Sequence, residues 1–191
     1  MTELTFVEAI NQALREEMLR DPSVFLIGQD IRNGYGGGIF GATKNLHAEF
    51  GDERVIDSPV SEVAIGGCSA GAAYMGVRPV AEFQFGDFVA IAFDQIANSA
   101  AKFRWASEGK WGCPVVYRAP YGARVGAGLN HSQSPEAWLG NIPGLTLVMP
   151  STPYDAKGLL KSSIRSNDPV VFFESKYLYR RVKGEVPADD Y

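Results

Sequence analysis

Apolar residues at Phe6, Ile10, Leu14 and Met18 recur every four positions, which predicts an amphipathic helix. Thr5 followed by Glu8 supplies a capping box for its start. The run Val24-Phe25-Leu26-Ile27 reads as a buried strand, and a glycine-rich loop follows over residues 30–38. The same alternation continues down the chain. It predicts a short helix over 43–50, a strand over 54–57, a helix over 61–75 and a strand over 79–83. A long helix is expected over 87–107, a strand over 114–117 and a loop with several glycines over 118–134. A strand over 145–149, a helix over 153–166 and a final strand over 169–174 complete the series. Ser151-Thr152-Pro153 gives that last helix a capping hydroxyl and a proline in its first turn. The charged, turn-rich segment 180–191 is expected to be a fraying exit. Alternating strands and helices predict an α/β fold, with a parallel β-sheet sandwiched by helices.

The chain has 191 residues, 46% hydrophobic and 21% charged, which suits one soluble domain with a sizeable core. Its formal net charge of −4 and the lack of a basic run argue against a nucleic-acid partner. No apolar stretch approaches the roughly 20 residues of a membrane span. The start Met1-Thr2-Glu3-Leu4 lacks the features of a signal peptide. Cys68 and Cys113 lie far apart and form no CxxC or disulfide framework. A reduced, cytoplasmic setting is expected, and a mature organellar chain would look the same.

Gly66, Gly67 and Gly71 fall inside the helix predicted over 61–75, where each costs up to about 1 kcal/mol relative to alanine. Such a helix is kept when something approaches its backbone closely. Packing within the domain and contact with another subunit are both open on this pattern. Just before it, Asp57-Ser58-Pro59-Val60-Ser61-Glu62 joins a strand end to a helix start. That places Glu62 near the carboxyl edge of the sheet, where open parallel sheets bind ligands. A glutamate there also complements the helix dipole. His131 follows a glycine-rich loop, while His47 lies on a predicted surface helix. The loop from Arg118 to Gly128 lacks the Lys-Ser/Thr ending of a phosphate-binding P-loop and reads as a mobile wall.

Several blocks then resemble, in order, the β subunits of thiamine-diphosphate-dependent 2-oxo-acid dehydrogenase E1 components. They are the segment from Asp57 to Glu62, Gly76-Val77-Arg78-Pro79-Val80-Ala81-Glu82-Phe83, and Phe93-Asp94-Gln95-Ile96 with Ser99-Ala100-Ala101-Lys102. His131-Ser132-Gln133-Ser134, the run from Pro150 to Leu159 and Asp168-Pro169-Val170-Val171-Phe172 continue the series. The resemblance spans nearly the whole chain and covers the pyruvate, branched-chain 2-oxo-acid and acetoin dehydrogenase types. It implies a pyrimidine-binding domain, residues 1–191, that shares thiamine diphosphate with an α-type E1 subunit holding the diphosphate and Mg²⁺. No GDG motif with a downstream asparagine stands in this chain to hold that metal.

By motif, Glu62 matches the glutamate that hydrogen-bonds N1′ of the aminopyrimidine and so activates the cofactor. Phe88, in Phe85-Gly86-Asp87-Phe88, matches the aromatic against which that ring packs. Val60 matches a position lining the same pocket. His131 matches a histidine facing the reacting end of the cofactor, active in acyl transfer to lipoamide. A structural potassium ion in related β chains maps onto Val115, Ser163, Ile164, Ser166 and Asp168, with Ser166 replacing an acidic residue. The implied function is decarboxylation of a 2-oxo acid with the α-type subunit and a lipoyl acyltransferase E2. Self-association of the β domain is also expected. Alternatives are a split transketolase-like ketol transferase and a non-catalytic assembly domain of the same fold. Two departures stand out: Gln29 replaces an acidic residue, and the family's usual second domain is missing after Tyr191, so the chain alone is expected to be inactive.

Overall fold

The chain opens with a short strand, β1 (Thr2–Thr5), that runs straight into helix α1 (Phe6–Arg20). The capping box forms as predicted: the Glu8 N–H donates to Thr5 Oγ1, and the Thr5 N–H donates to the Glu8 carboxylate at 2.8 Å. Strand β2 (Val24–Gly28), helix α2 (Leu46–Phe50), strand β3 (Val55–Asp57), helix α3 (Glu62–Tyr74) and strand β4 (Arg78–Glu82) follow. Beyond them come α4 (Phe103–Ala106), β5 (Val116–Tyr121), α5 (Glu136–Leu139), β6 (Thr146–Val148), α6 (Pro153–Arg165), β7 (Val170–Ser175) and β8 (Lys183–Val186). The computed structural model describes residues 1–32, 36–123 and 126–191. Asn33, Gly34 and Tyr35 of the loop expected over 30–38 lie outside the described residues, as do Arg124 and Val125 of the second loop.

Six strands pair in the order β3-β2-β4-β5-β7-β6, and every pair is parallel. Val80 of β4 stands opposite Leu26 on one side and Val116 on the other, and Val116 stands opposite Val170. Strands this apolar need cover on both faces. Helices α1 and α6 cover one face with Ile10, Leu14, Leu160 and Ile164 over Leu26, Val80, Val116 and Phe172. On the other face, α3 and the helical segment after Gly86 pack Ile65, Ala92 and Ile96 over Ala81, Tyr117 and Phe173. The predicted sandwich forms. Among the described residues, no helix is long and apolar enough to cross a membrane.

Three expectations are corrected. The helix predicted over 87–107 is not one regular α-helix: a 3₁₀ turn (Gly86–Ala90), a π-helical stretch (Gln95–Ala100) and α4 share that length. The Ala101 N–H donates to the Ile96 carbonyl, five residues back, and marks the widened turn. The apolar pattern is the same for all three helix types, so it could not separate them. Second, β5 continues to Tyr121, so the loop predicted from Arg118 begins later; Arg118 is a buried strand residue. Third, the tail is no fraying exit. Strand β8 pairs antiparallel with β1, Thr2 opposite Val186, and Val186 is fully buried. A ladder between residues at opposite ends of the chain leaves no local periodicity to read.

Candidate functional site

The carboxyl ends of β2, β3, β4, β5 and β7 fall at Gly28, Asp57, Glu82, Tyr121 and Ser175. Loops leaving this edge carry the candidate residues, as the parallel topology requires. After β3, the turn is anchored by the Ser58 N–H on the Gly28 carbonyl at 2.9 Å. The Asp57 carboxylate accepts the Ile31 N–H at 2.9 Å. Ser61 caps α3 by accepting the Ala64 N–H, which sets Glu62 in the first helical turn. Glu62 is buried to 7% exposure, yet among the described residues its carboxylate takes no hydrogen bond and no ion pair. Its oxygens are not among the buried unpartnered atoms and so still reach solvent at the sheet edge, which leaves them open to a ligand donor. Val60, in the same turn, has its side chain in solvent.

Phe88 lies in the 3₁₀ turn after β4, and His131 in a second 3₁₀ turn (Leu129–His131) after β5. The two rings meet edge-on, with centroids 5.2 Å apart. Phe85 completes the cluster, 4.4 Å from the His131 ring and also edge-on. Strands β3 and β4 are separated only by β2, so the elements that carry Glu62 and Phe88 leave the sheet about 10 Å apart. The structure brings Phe88 and His131 into contact and sets Glu62 on the same edge. A carboxylate acceptor without a protein partner among the described residues and a half-buried aromatic ring fit a flat, basic heterocycle such as the aminopyrimidine of thiamine.

Three residues with a bearing on this site were not singled out by the sequence. Asp87 Oδ1 accepts the Gln133 N–H at 3.1 Å, while its Oδ2 is buried without a partner. Phe85 is buried at the junction, and the Lys176 ammonium donates to the His131 carbonyl. Burial lowers the Lys176 pKa, and Asp87 opposes that shift. A lysine just past the carboxyl end of an interior strand was the available signal. Beneath the edge, Arg118 donates from Nε and Nη2 to Glu174 at 2.7 and 2.8 Å, and from Nη1 to Glu82 at 2.5 Å. The Tyr179 hydroxyl also donates to Glu174. Burial pushes the Glu82 carboxyl up against the pull of Arg118; it pulls the Arg118 guanidinium down, but the two glutamates raise it overall. Gly38 has φ +76°, and a Cβ there would come within 2.8 Å of Glu82 Oε1, so the backbone at Gly38 lies directly against this network. Gln29 is tied through Asp30, whose Oδ2 accepts from Gln84 Nε2 at 2.7 Å.

The positions implied for potassium gather where α6 ends and β5 and β7 begin. The Val115 carbonyl accepts the Val170 N–H, and the Ile164 and Ser166 carbonyls accept Arg78 Nη1 at 3.0 and 2.7 Å. Ser163 Oγ donates back to Leu159, and Arg104 donates to the Asp168 carboxylate. A guanidinium therefore already serves two of the oxygens, and what they keep for a cation is one lone pair each. Among the described residues, no cluster of three or more His, Cys, Asp or Glu could hold a metal.

The family model for the transketolase pyrimidine-binding domain matches residues 2–182. The 2-oxoisovalerate dehydrogenase subunit beta of Bacillus subtilis (strain 168) is 56% identical over all of this chain and 58% of its own length. The beta subunit of the acetoin:2,6-dichlorophenolindophenol oxidoreductase of Cupriavidus necator is 51% identical over 96% of this chain and 56% of its own. The pyruvate dehydrogenase E1 component subunit beta of B. subtilis is 45% identical over all of this chain and 58% of its own length. The chain thus spans a little over half the length of these curated relatives. A solved split-gene transketolase, described as an inactive beta4 tetramer, superposes with a TM-score of 0.73 over 98% of this chain and 56% of its own, at 19% identity. That likeness confirms the fold. With the family model covering nearly every residue, the chain belongs to the transketolase pyrimidine-binding domain family.

Proposed function

We propose that this chain supplies the aminopyrimidine-binding half of a thiamine-diphosphate-dependent 2-oxo-acid dehydrogenase E1 component, acting as its β subunit. The observation that carries the reading is Glu62: a mostly buried residue whose carboxylate has no hydrogen-bond partner among the described residues, in the first turn of α3 at the ligand-binding edge. The identities of 45–56% to β subunits of this type support it. Glu62 would hydrogen-bond N1′ of the ring through a proton shared between its carboxyl group and that nitrogen, Phe88 would pack against the ring, and the Val60 backbone would line the pocket. His131 would hold or donate a proton during acyl transfer to the lipoyl carrier. When bound, thiamine diphosphate supplies the electron sink for decarboxylating a 2-oxo acid.

An α-type subunit holds the diphosphate and Mg²⁺, and a lipoyl acyltransferase takes the acyl group. Self-association through the exposed face of α3 and a reduced cytoplasmic setting complete the proposal; both cysteines are free, Cys68 exposed and Cys113 buried. A potassium ion at the Ser163–Asp168 corner would have to share the Ile164 and Ser166 carbonyls with Arg78.

The test is calorimetry of thiamine diphosphate with Mg²⁺, with and without a candidate E1 α subunit. Binding is expected in the mixture and at least about tenfold weaker, or about 1.4 kcal/mol, with Glu62→Ala or Phe88→Ala. No binding in a mixture whose complex is demonstrated would leave the assembly-domain reading in its place.

A further inference from the structure

Among the described residues, Lys176 ties the segment after β5 that carries His131 at two points. Its backbone N–H donates to the Tyr121 carbonyl at 3.1 Å, where the segment leaves. Its side-chain ammonium donates to the His131 carbonyl, where the segment returns. The same ammonium sits 4.8 Å from the centroid of the Phe85 ring, and Phe85 meets the imidazole edge-on. Just past His131, Asp87 accepts the Gln133 N–H, and the Gln133 carbonyl accepts the Gly122 N–H at 2.9 Å.

Lys176 is only 4% exposed. A buried ammonium is costly unless it is well partnered, and here the partners are a carbonyl, an aromatic face and the charge of Asp87. A cation this enclosed has little freedom to move away from either the His131 carbonyl or the ring. An ordinary surface lysine could not hold a loop in this way, because solvated side chains exchange partners freely.

We propose that Lys176 is a positioning residue: by binding the His131 carbonyl and the face of Phe85 together, it fixes the imidazole against Phe85 and Phe88. The value of this for the reaction rests on His131 belonging to the site proposed above; the positioning itself does not.

The chain contains only two histidines, so proton NMR of the full chain reads His131 directly, with His47 as an internal control. Two phenylalanine rings against His131 displace its ring-proton signals from those of an unstructured histidine. Lys176→Met keeps most of the apolar stem and removes the charge. The His131 signals are expected to collapse towards unstructured values in this variant, while those of His47 stay in place. Unmoved His131 signals in a folded Lys176→Met chain would overturn the proposal. Should that variant not fold, the wild-type chain decides: cross-relaxation between the Lys176 ε-methylene and the Phe85 ring is expected, and its absence would overturn it equally. Cofactor binding enters neither measurement, so a failed calorimetric test of Glu62 and Phe88 leaves this result standing.

Discussion

Arg118 is the largest side chain sealed in the interior, and its charge is matched by Glu82 and Glu174 across three neighbouring strands. A buried ion network of this kind is weak evidence for added stability, since burial of the charges offsets most of their attraction. Removing one member is a different matter. Arg118→Met leaves two buried carboxylates facing each other, and a loss of about 3–5 kcal/mol is expected in urea unfolding. A loss below about 1 kcal/mol would mean that the carboxylates reach water or share a proton. The sequence showed Arg118 only as the first residue of a supposed loop. Glu62 was more legible, because a strand end, a proline turn and a helix start bracket it within six residues. That its side chain is mostly enclosed while its carboxylate takes no protein hydrogen bond among the described residues, however, emerges only from the packing around α3.

At the scale of elements, α3 divides its glycines between two environments. A Cβ on Gly66 would lie 3.1 Å from the Ala92 Cβ and 3.3 Å from the Gln95 Cβ, so this glycine admits the helical segment beneath it. Gly67 stands 3.4 Å from Gln95 by the same measure, and Gly71 has nothing within 4 Å. The two readings of the small-residue pattern thus separate by position: Gly66 serves packing within the chain, and Gly71 does not. Gly66→Ala is expected to destabilise by about 1–3 kcal/mol through overpacking, less the helix gain. Gly71→Ala is expected to stabilise by up to about 1 kcal/mol, because it adds helix propensity with no clash. Chemical unfolding of the two variants side by side checks the contrast, and equal effects would refute it.

Across the whole molecule, the last residues of the chain dock on α6. Asp190 bridges Lys161 and Arg165 at 2.5 and 2.6 Å, and Tyr191 stacks on Tyr154 with centroids 4.7 Å apart. The Lys161 and Arg165 hydrogen bonds hold the Asp190 carboxyl at about 2, below its ordinary 3.8. Because the folded value is depressed, the contribution to stability is present above the unfolded value and is lost as pH falls through about 2. Wild type should therefore melt above Asp190→Asn at pH 5–7, with the gap closing between about pH 4 and pH 2. Melting temperatures across that range check it. A gap that persists at pH 2 would assign the effect to something other than this carboxylate.

The alternation of apolar runs and amphipathic helices determined the parallel α/β sandwich, because strand and helix periods are local properties of neighbouring residues. The capping box at Thr5, the site turn ending at Glu62 and the ordered family blocks were likewise short-range patterns. Tertiary structure alone decided which side chains meet. It joined β1 to β8, made the 86–106 segment a mixture of helix types, and buried Arg118 between glutamates 36 and 56 residues away. It also set Lys176 under His131, 45 residues earlier in the chain. Such contacts depend on strand order and register, which no window of neighbouring residues contains.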